Sequence, residues 1–293
     1  PKDSLSTVYD NTTYEAMKHF QSRHGLAPDG VIGKGTIEAL NFSKKKRKEQ
    51  ILANLERWKW FPKEMGEEYL VVNIPDYKLT LVRNNDTLRT HKVIVGRDKR
   101  PTPILSSFLN NVILNPTWTV PPTILKEDVI PAIAKNRNYL SQTNIKIFDS
   151  KGHEILANEW QLSEAKKYRY VQSPGTYNSL GMIKFSFPNR FSIYLHDTNH
   201  RDFFVKQKRS LSSGCVRVDN PLKLAEYLLE NDSNWDLEKI TQTLQNEKTK
   251  HIKITKEVRI HILYWTAWAE NGTLIFRDDI YNLDSDLYRH LRK

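Results

Sequence analysis

Cysteine is almost absent from this sequence: Cys215 is the single one among 293 residues. One thiol forbids an internal disulfide, so pairing says nothing of the redox compartment. A lone thiol is a liability wherever oxidants reach it, and its retention suggests a use. Long apolar runs are missing too. None approaches the roughly 20 residues that span a bilayer, so the chain as given is expected to be soluble. It opens at Pro1 without Met or a signal-like segment. We therefore expect either that a signal or anchor was removed or that the sequence starts within a longer protein. There is no phosphate loop and no nucleotide fingerprint. The histidines are scattered, without the paired spacing of a metal site, so no metal and no cofactor are expected. Acidic residues are also short. The 34 Asp and Glu against 45 Lys and Arg leave a formal charge of +11, which favours a polyanionic partner. Nucleic acid and a carboxylate-bearing wall polymer both fit that charge.

What is present suits a globular chain with one large domain and a small one, its core supplied by 13 Tyr, 11 Phe and 7 Trp. The first segment, NTTYEAMKHFQSRHG, reads as a helix with Thr12 and Glu15 as a capping box and Gly25 as its left-handed end. After the turn-rich LAPDGVIGKG, Thr36 can cap a second short helix that buries Ile37 and Leu40. The basic run from Lys44 reads as a solvated linker leading into the helical pattern ILANLERWKW, which ends before Pro62. From Tyr69 the period becomes two. YLVVNIPDYKLTLV gives two strands, LRTHKVIVG a third, and NNVILNPTWTVPP a fourth stopped by Pro121 and Pro122. Residues 121–172 break this rhythm with a helical stretch and a hairpin, as an insertion would. Strands resume at GMIKFSF and RFSIYLHD, a helix opens at Asn220 and Pro221, and a hairpin turns at Asn271-Gly272. The domain division expected is 1–42, a linker and helix at 43–66, and a mainly-β domain at 67–293.

Cys215 stands in RSLSSGCVRVDNP. Gly214 lets the backbone turn and brings amide N–H groups near the sulfur, where they can serve as an oxyanion hole. Arg217, two positions on, would favour thiolate over thiol. On this context alone, nucleophile and structural cysteine stand about level. A nucleophilic thiol needs a base. In RFSIYLHDT, alternation puts Phe191, Ile193 and Leu195 on a core face, and Ser192, Tyr194 and His196 on the other. His200 competes as base, but lies in a loop-like composition, DTNHRDF, that reads as solvent-facing.

IYLHDT followed by SSGCVRV, with Cys215 nineteen residues after His196, resembles the signature of L,D-transpeptidases. VGRDKRPTP near Gly96, with Thr102 and Pro103, and PGTYNSLGMIKFSFPN, with Asn178, Leu180 and Gly181, extend the likeness. The segment AMKHFQSRHGLAPDGVIGKGTIEALN resembles a peptidoglycan-binding domain of the three-helix type without its start. The order of parts, with the insertion at 121–172, resembles the large Gram-negative subclass that carries a capping subdomain. The family's usual Ser-His-Gly-Cys is Ser-Ser-Gly-Cys here, and Ser213 reads as a mark of that subclass.

The resemblance implies an α+β fold: a mainly-β, β-sandwich-like catalytic domain with an inserted α/β cap, plus the small helical domain. It implies Cys215 as nucleophile, His196 as base, and a main-chain carbonyl near Asp197 orienting the imidazole. Arg217 would hold the site or a substrate carboxylate, and the N–H groups of Gly214 and Cys215, with Tyr194, would stabilise the oxyanion. Asn178, Gly181, Thr102 and Trp118 are the implied substrate-binding residues, with Trp160 a second tryptophan in the cap. Ordinary core packing is the simpler reading of both tryptophans. The implied reaction takes a peptidoglycan tetrapeptide stem, releases D-Ala, holds a thioester and forms a 3→3 cross-link. Stem peptides and carbapenem-type inhibitors are the implied partners, the periplasm the implied location, and a monomer the expected state. No RNA motif or major-groove helix points to nucleic acid, and membrane association is expected only through a missing N-terminal signal or anchor. Two rival readings remain open: a sortase-like cysteine acyl-transferase, against which the short His–Cys spacing argues, and a wall-binding scaffold with an inert cysteine.

Overall fold

The two-residue period that starts at Tyr69 builds the largest element of the molecule. In the computed structural model, which describes residues 7–230 and 234–292, an eleven-stranded sheet runs through most of the chain. Glu68–Asn73, Lys78–Arg83 and Asp86–Gly96 form a consecutive antiparallel meander. Asp86–Gly96 then pairs with Val216–Val218, which pairs in parallel with Leu195–His196, and that strand with Ile183–Ser186. The sheet curls around one core. Leu70, Val72 and Ile260 from one end meet Phe185, Leu195 and Val216 from the other, because each strand sends alternate side chains inward. The helix Pro221–Leu229 seals this core with Leu224, Ala225 and Leu228. Pro221 occupies its first turn as expected, but Asn220 precedes it in the left-handed conformation without a side-chain cap.

The stretch expected as one fourth strand divides in two. Asn111–Leu114 joins the main sheet, whereas Trp118–Thr119 belongs to a separate four-stranded sheet with Arg169–Gln172, Ile145–Phe148 and Glu154–Ile155. Asn115, with a φ of 49°, and Pro116 make the break between them. The insertion therefore begins at Trp118, three residues before the expected boundary, and Trp118 pairs with Gln172 where the chain leaves it. It has a core of its own, with Trp118, Ile133, Ile147, Trp160 and Tyr170 among its members. Its helical part is interrupted by a π turn at Leu125–Val129. Pro131 has no N–H to give the Glu127 carbonyl, so the helix is rewound one residue wider just before it.

The N-terminal unit consists of Asn11–Arg23 and Lys34–Leu40. The first helix is capped two residues earlier than Thr12 and Glu15 suggest: Asp10 accepts from the Thr13 N–H. A short acidic cap needs only a free N–H two or three residues on, and Thr13 supplies it to the Asp10 carboxylate. Gly33 precedes the second helix, so Thr36 lies inside it and donates to the Val31 carbonyl. Ile37 and Leu40, expected to be buried, are about half exposed at 47% and 50%. The interior is instead polar. Gln21 is buried and ties Asp29, Gly30 and Val31 of the Asp-Gly turn.

The basic run is not a free linker. Ser43 caps a sixteen-residue helix, Lys44–Lys59, that includes it. Gln50 and Asn54 bond Thr266, Arg57 pairs with buried Asp284, and Trp58 stacks on Trp265 at 4.3 Å. The lysines sit on the opposite, solvated face. Asn271 and Gly272 turn the hairpin Ala267–Glu270 and Thr273–Phe276, both at positive φ, as a type I′ turn requires.

Candidate functional site

Two short parallel strands set the geometry around the thiol. Leu195 pairs with Val216 and His196 with Arg217. Leu195 and Val216 are fully buried in the core, so alternation sends Tyr194, His196, Cys215 and Arg217 to the other face. The strand is shorter than RFSIYLHD suggests. Ser192 is left-handed at φ 56° and Phe191 is 43% exposed, so Phe191 leaves the expected core trio. Asn189 accepts from Phe191 and Ile193 N–H groups and closes this turn. Cys215 Sγ faces the Ser192 carbonyl at 4.0 Å, and both the main-chain N–H and the hydroxyl of Tyr194 lie against it.

His196 is buried, with Nδ1 2.5 Å from the main-chain oxygen of Asp197. A carbonyl only accepts, so Nδ1 carries the hydrogen and the neutral ring keeps its basic lone pair on Nε2. Burial, followed by the charge of Arg217, pushes the imidazole pKa down to about 3, against the pull of the Asp197 and Leu180 carbonyls. Burial also pushes the Cys215 thiol up, although Tyr194, Lys184 and Arg217 each pull it down. Arg217 pulls the thiol toward thiolate, the direction expected, and desolvation outweighs it. The resting site holds a neutral thiol beside a neutral imidazole, with cationic groups on either side. His200 is exposed and stacked on Phe203 at 5.2 Å.

Comparison with known proteins gives the family of the chain. Residues 67–249 match the L,D-transpeptidase catalytic domain (YkuD). The chain belongs to the L,D-transpeptidase family. Residues 2–40 match the "Putative peptidoglycan binding domain". A "Putative L,D-transpeptidase" of Haemophilus influenzae is 35% identical over 97% of the chain, which spans 58% of that relative's length. Among solved structures, an L,D-transpeptidase from Mycobacterium smegmatis aligns over 67% of this chain and 58% of its own, at 12% identity and TM-score 0.32. An L,D-transpeptidase in complex with imipenem aligns over 67% and 59%, at 13% identity and TM-score 0.31. The family assignment rests on the sequence match.

In this L,D-transpeptidase-family chain, several residues expected to touch substrate bond to neighbouring loops. Thr102 is 2% exposed; its hydroxyl donates to the Gly214 carbonyl and accepts from the Gly96 N–H, both at 2.8 Å. Asn178 is equally enclosed, its Nδ2 donating to the Pro116 and Ser173 carbonyls and its Oδ1 accepting from the Leu180 N–H. Gly181 stands at φ 61°, and a Cβ there would lie 2.4 Å from the Asp197 carboxylate. That carboxylate takes the Met182 N–H and Arg201. Trp118 is buried in the core of the insertion, and its indole reaches the Tyr194 hydroxyl. Trp160 is 2% exposed and donates to the Tyr170 hydroxyl. The polar groups of Thr102, Asn178 and Trp160 are thus committed to partners within the fold. Gly214, at φ 117°, needs no Cβ, but its N–H is committed to Ser212 Oγ at 3.1 Å. It is therefore withdrawn from the expected oxyanion hole.

Ser213 is exposed and accepts from Arg100 Nη1 at 3.0 Å. Arg100, whose side chain is 9% exposed, also pairs with Glu127 and Asp128 in the π turn of the insertion. One guanidinium thus ties the insertion to the loop of the thiol. The sequence reading passed over Arg100, Ser212 and Lys184. Ser212 Oγ holds the Cys215 carbonyl at 2.6 Å. Lys184 could have been found by alternation, since Ile183, Phe185 and Phe187 define one face of GMIKFSF and leave a lone lysine on the other.

Proposed function

We propose that this protein is a cysteine L,D-transpeptidase acting on peptidoglycan stems, with Cys215 as nucleophile and His196 as base. The observation that carries the reading is the shared sheet face of Cys215 and His196, with Nδ1 of the imidazole held by the Asp197 carbonyl. Nε2 takes the thiol proton as the sulfur attacks the carbonyl joining the third residue of the stem to its terminal D-Ala. The Cys215 N–H and the Tyr194 hydroxyl are the available donors for the oxyanion. Removing one such donor typically costs about 3 kcal/mol of barrier. Collapse expels D-Ala, whose nitrogen receives the proton from His196, and leaves a thioester. The side-chain amine of a second stem then attacks the thioester, loses its proton to His196, and returns the thiol. The product is a 3→3 cross-link.

Arg217 supports binding of a substrate carboxylate, because its Nε and Nη1 are buried without a partner among the described residues. A cap tied down at Arg100 would limit hydrolysis of the thioester by excluding water. Residues 2–40 would keep the enzyme on its polymer, in the periplasm. By the same chemistry, a carbapenem such as the imipenem bound by a relative would acylate Cys215. Incubation with a disaccharide-tetrapeptide, followed by mass analysis, tests the reading. It predicts free D-Ala and a cross-linked tetrapeptide–tripeptide dimer. Unchanged substrate with well-folded protein would favour a wall-binding scaffold instead.

A further inference from the structure

Lys184 belongs to the strand Ile183–Ser186, whose Ile183 and Phe185 enter the core. The register sets Lys184 opposite His196 on one side and Arg217 opposite His196 on the other. A lysine, the imidazole and an arginine therefore form a row across three strands. Neighbouring strands lie about 4.8 Å apart, so the two cationic backbones stand about 10 Å apart with the imidazole between them. Lys184 Nζ rests 4.0 Å from the centroid of the Tyr194 ring, the ring whose hydroxyl lies against the thiol. Among the described residues Lys184 makes no hydrogen bond or ion pair, although it is half-buried and burial lowers its pKa. An ammonium held partly out of water without an acceptor is costly, and the aromatic face offsets only part of that cost.

We propose that Lys184 is a substrate-binding residue whose ammonium takes the carboxylate of the D-amino acid displaced by the thiol. This rests on the transpeptidase reading above. The departing nitrogen must receive its proton at His196, and its carboxylate is one carbon away from that nitrogen. The carboxylate consequently falls beside a cation flanking the imidazole. Arg217 offers buried N–H groups, whereas Lys184 is half-exposed and carries three unaccepted donors. Arg217 is then left for a second carboxylate of the stem.

The test compares a tetrapeptide donor ending in D-Ala with the same peptide carrying a C-terminal amide, using the full chain, Lys184→Met and Lys184→Arg. One readout is D-Ala or D-Ala-amide release. The other is protection of Cys215 from iodoacetamide by each peptide, which needs no turnover. Wild type should favour the acid by about tenfold or more, the scale of a charged hydrogen bond. Lys184→Met should lose that preference through KM rather than kcat, and Lys184→Arg should keep most of it. Equal slowing of both donors, or a displaced pH profile of alkylation with the preference intact, would show a field acting on the thiol and overturn the assignment. If wild type releases nothing yet acid-specific protection depends on Lys184, the transpeptidase reading fails and the binding role stands. Equal protection by acid and amide in wild type overturns the binding role.

Discussion

His196 lies between Arg217 and Lys184, and both oppose its protonation. Its folded pKa of about 3 is below the ordinary 6.5, so below pH 6.5 the unfolded chain binds a proton that the folded chain refuses. This contribution to stability is complete above pH 6.5 and is lost as pH falls toward 3. Between pH 7 and about pH 5, wild type should lose about 2 kcal/mol more than His196→Gln, measured by urea denaturation of both proteins. Parallel losses would mean that the imidazole is solvated. His196→Gln should also abolish stem cleavage. At this scale the sequence made Cys215, His196 and Tyr194 visible, because alternation decides a face. It did not separate contact from support. Thr102 and Asn178 occur in matching motifs, but only three dimensions reveal that their polar atoms are already bonded to Gly214, Pro116 and Ser173.

Two elements converge on the thiol through one arginine. Arg100 reaches Glu127 and Asp128 because the π turn before Pro131 brings those adjacent acids to the same side. Arg100→Ala should free the cap, raise thioester hydrolysis relative to transfer, and speed alkylation of Cys215 several-fold while the thermal midpoint changes little. Unaltered partition between hydrolysis and transfer would remove the cap from the account. Far from the thiol, the helix Lys44–Lys59 is held by the buried Arg57–Asp284 pair. Arg57→Ala leaves the Asp284 carboxylate buried and unpaired, with an expected loss of about 3–5 kcal/mol by denaturant unfolding. The insertion was legible as a break in period. Its start at Trp118 was not, since NNVILNPTWTVPP reads as one strand until Asn115 turns left-handed. The docked helix was hidden by its lysines, whose charge masks the helical spacing of Gln50, Asn54 and Arg57 on the inner side.

The whole molecule joins a curled sheet, a cap and a helical unit under a net charge of +11. A polymer bearing carboxylates should hold such a surface partly by charge. Co-sedimentation with purified sacculi should therefore weaken as salt rises from about 0.05 to about 0.5 M, where screening shortens from over 10 Å to a few ångströms. Binding indifferent to salt would assign retention to the uncharged contacts of residues 2–40. The overall order of parts was legible because the family's motifs are spread along the chain. The curl of the sheet was not, because parallel pairing of Glu68–Asn73 with Arg259–Leu263 joins segments almost two hundred residues apart. The central claim is that Cys215 carries the acyl group. Intact-protein mass after rapid quenching with a D-Ala-terminated tetrapeptide tests it most directly. The account predicts an adduct of the donor minus D-Ala, located on Cys215 and absent from Cys215→Ala; D-Ala release without any such adduct, or an adduct surviving in Cys215→Ala, would contradict it.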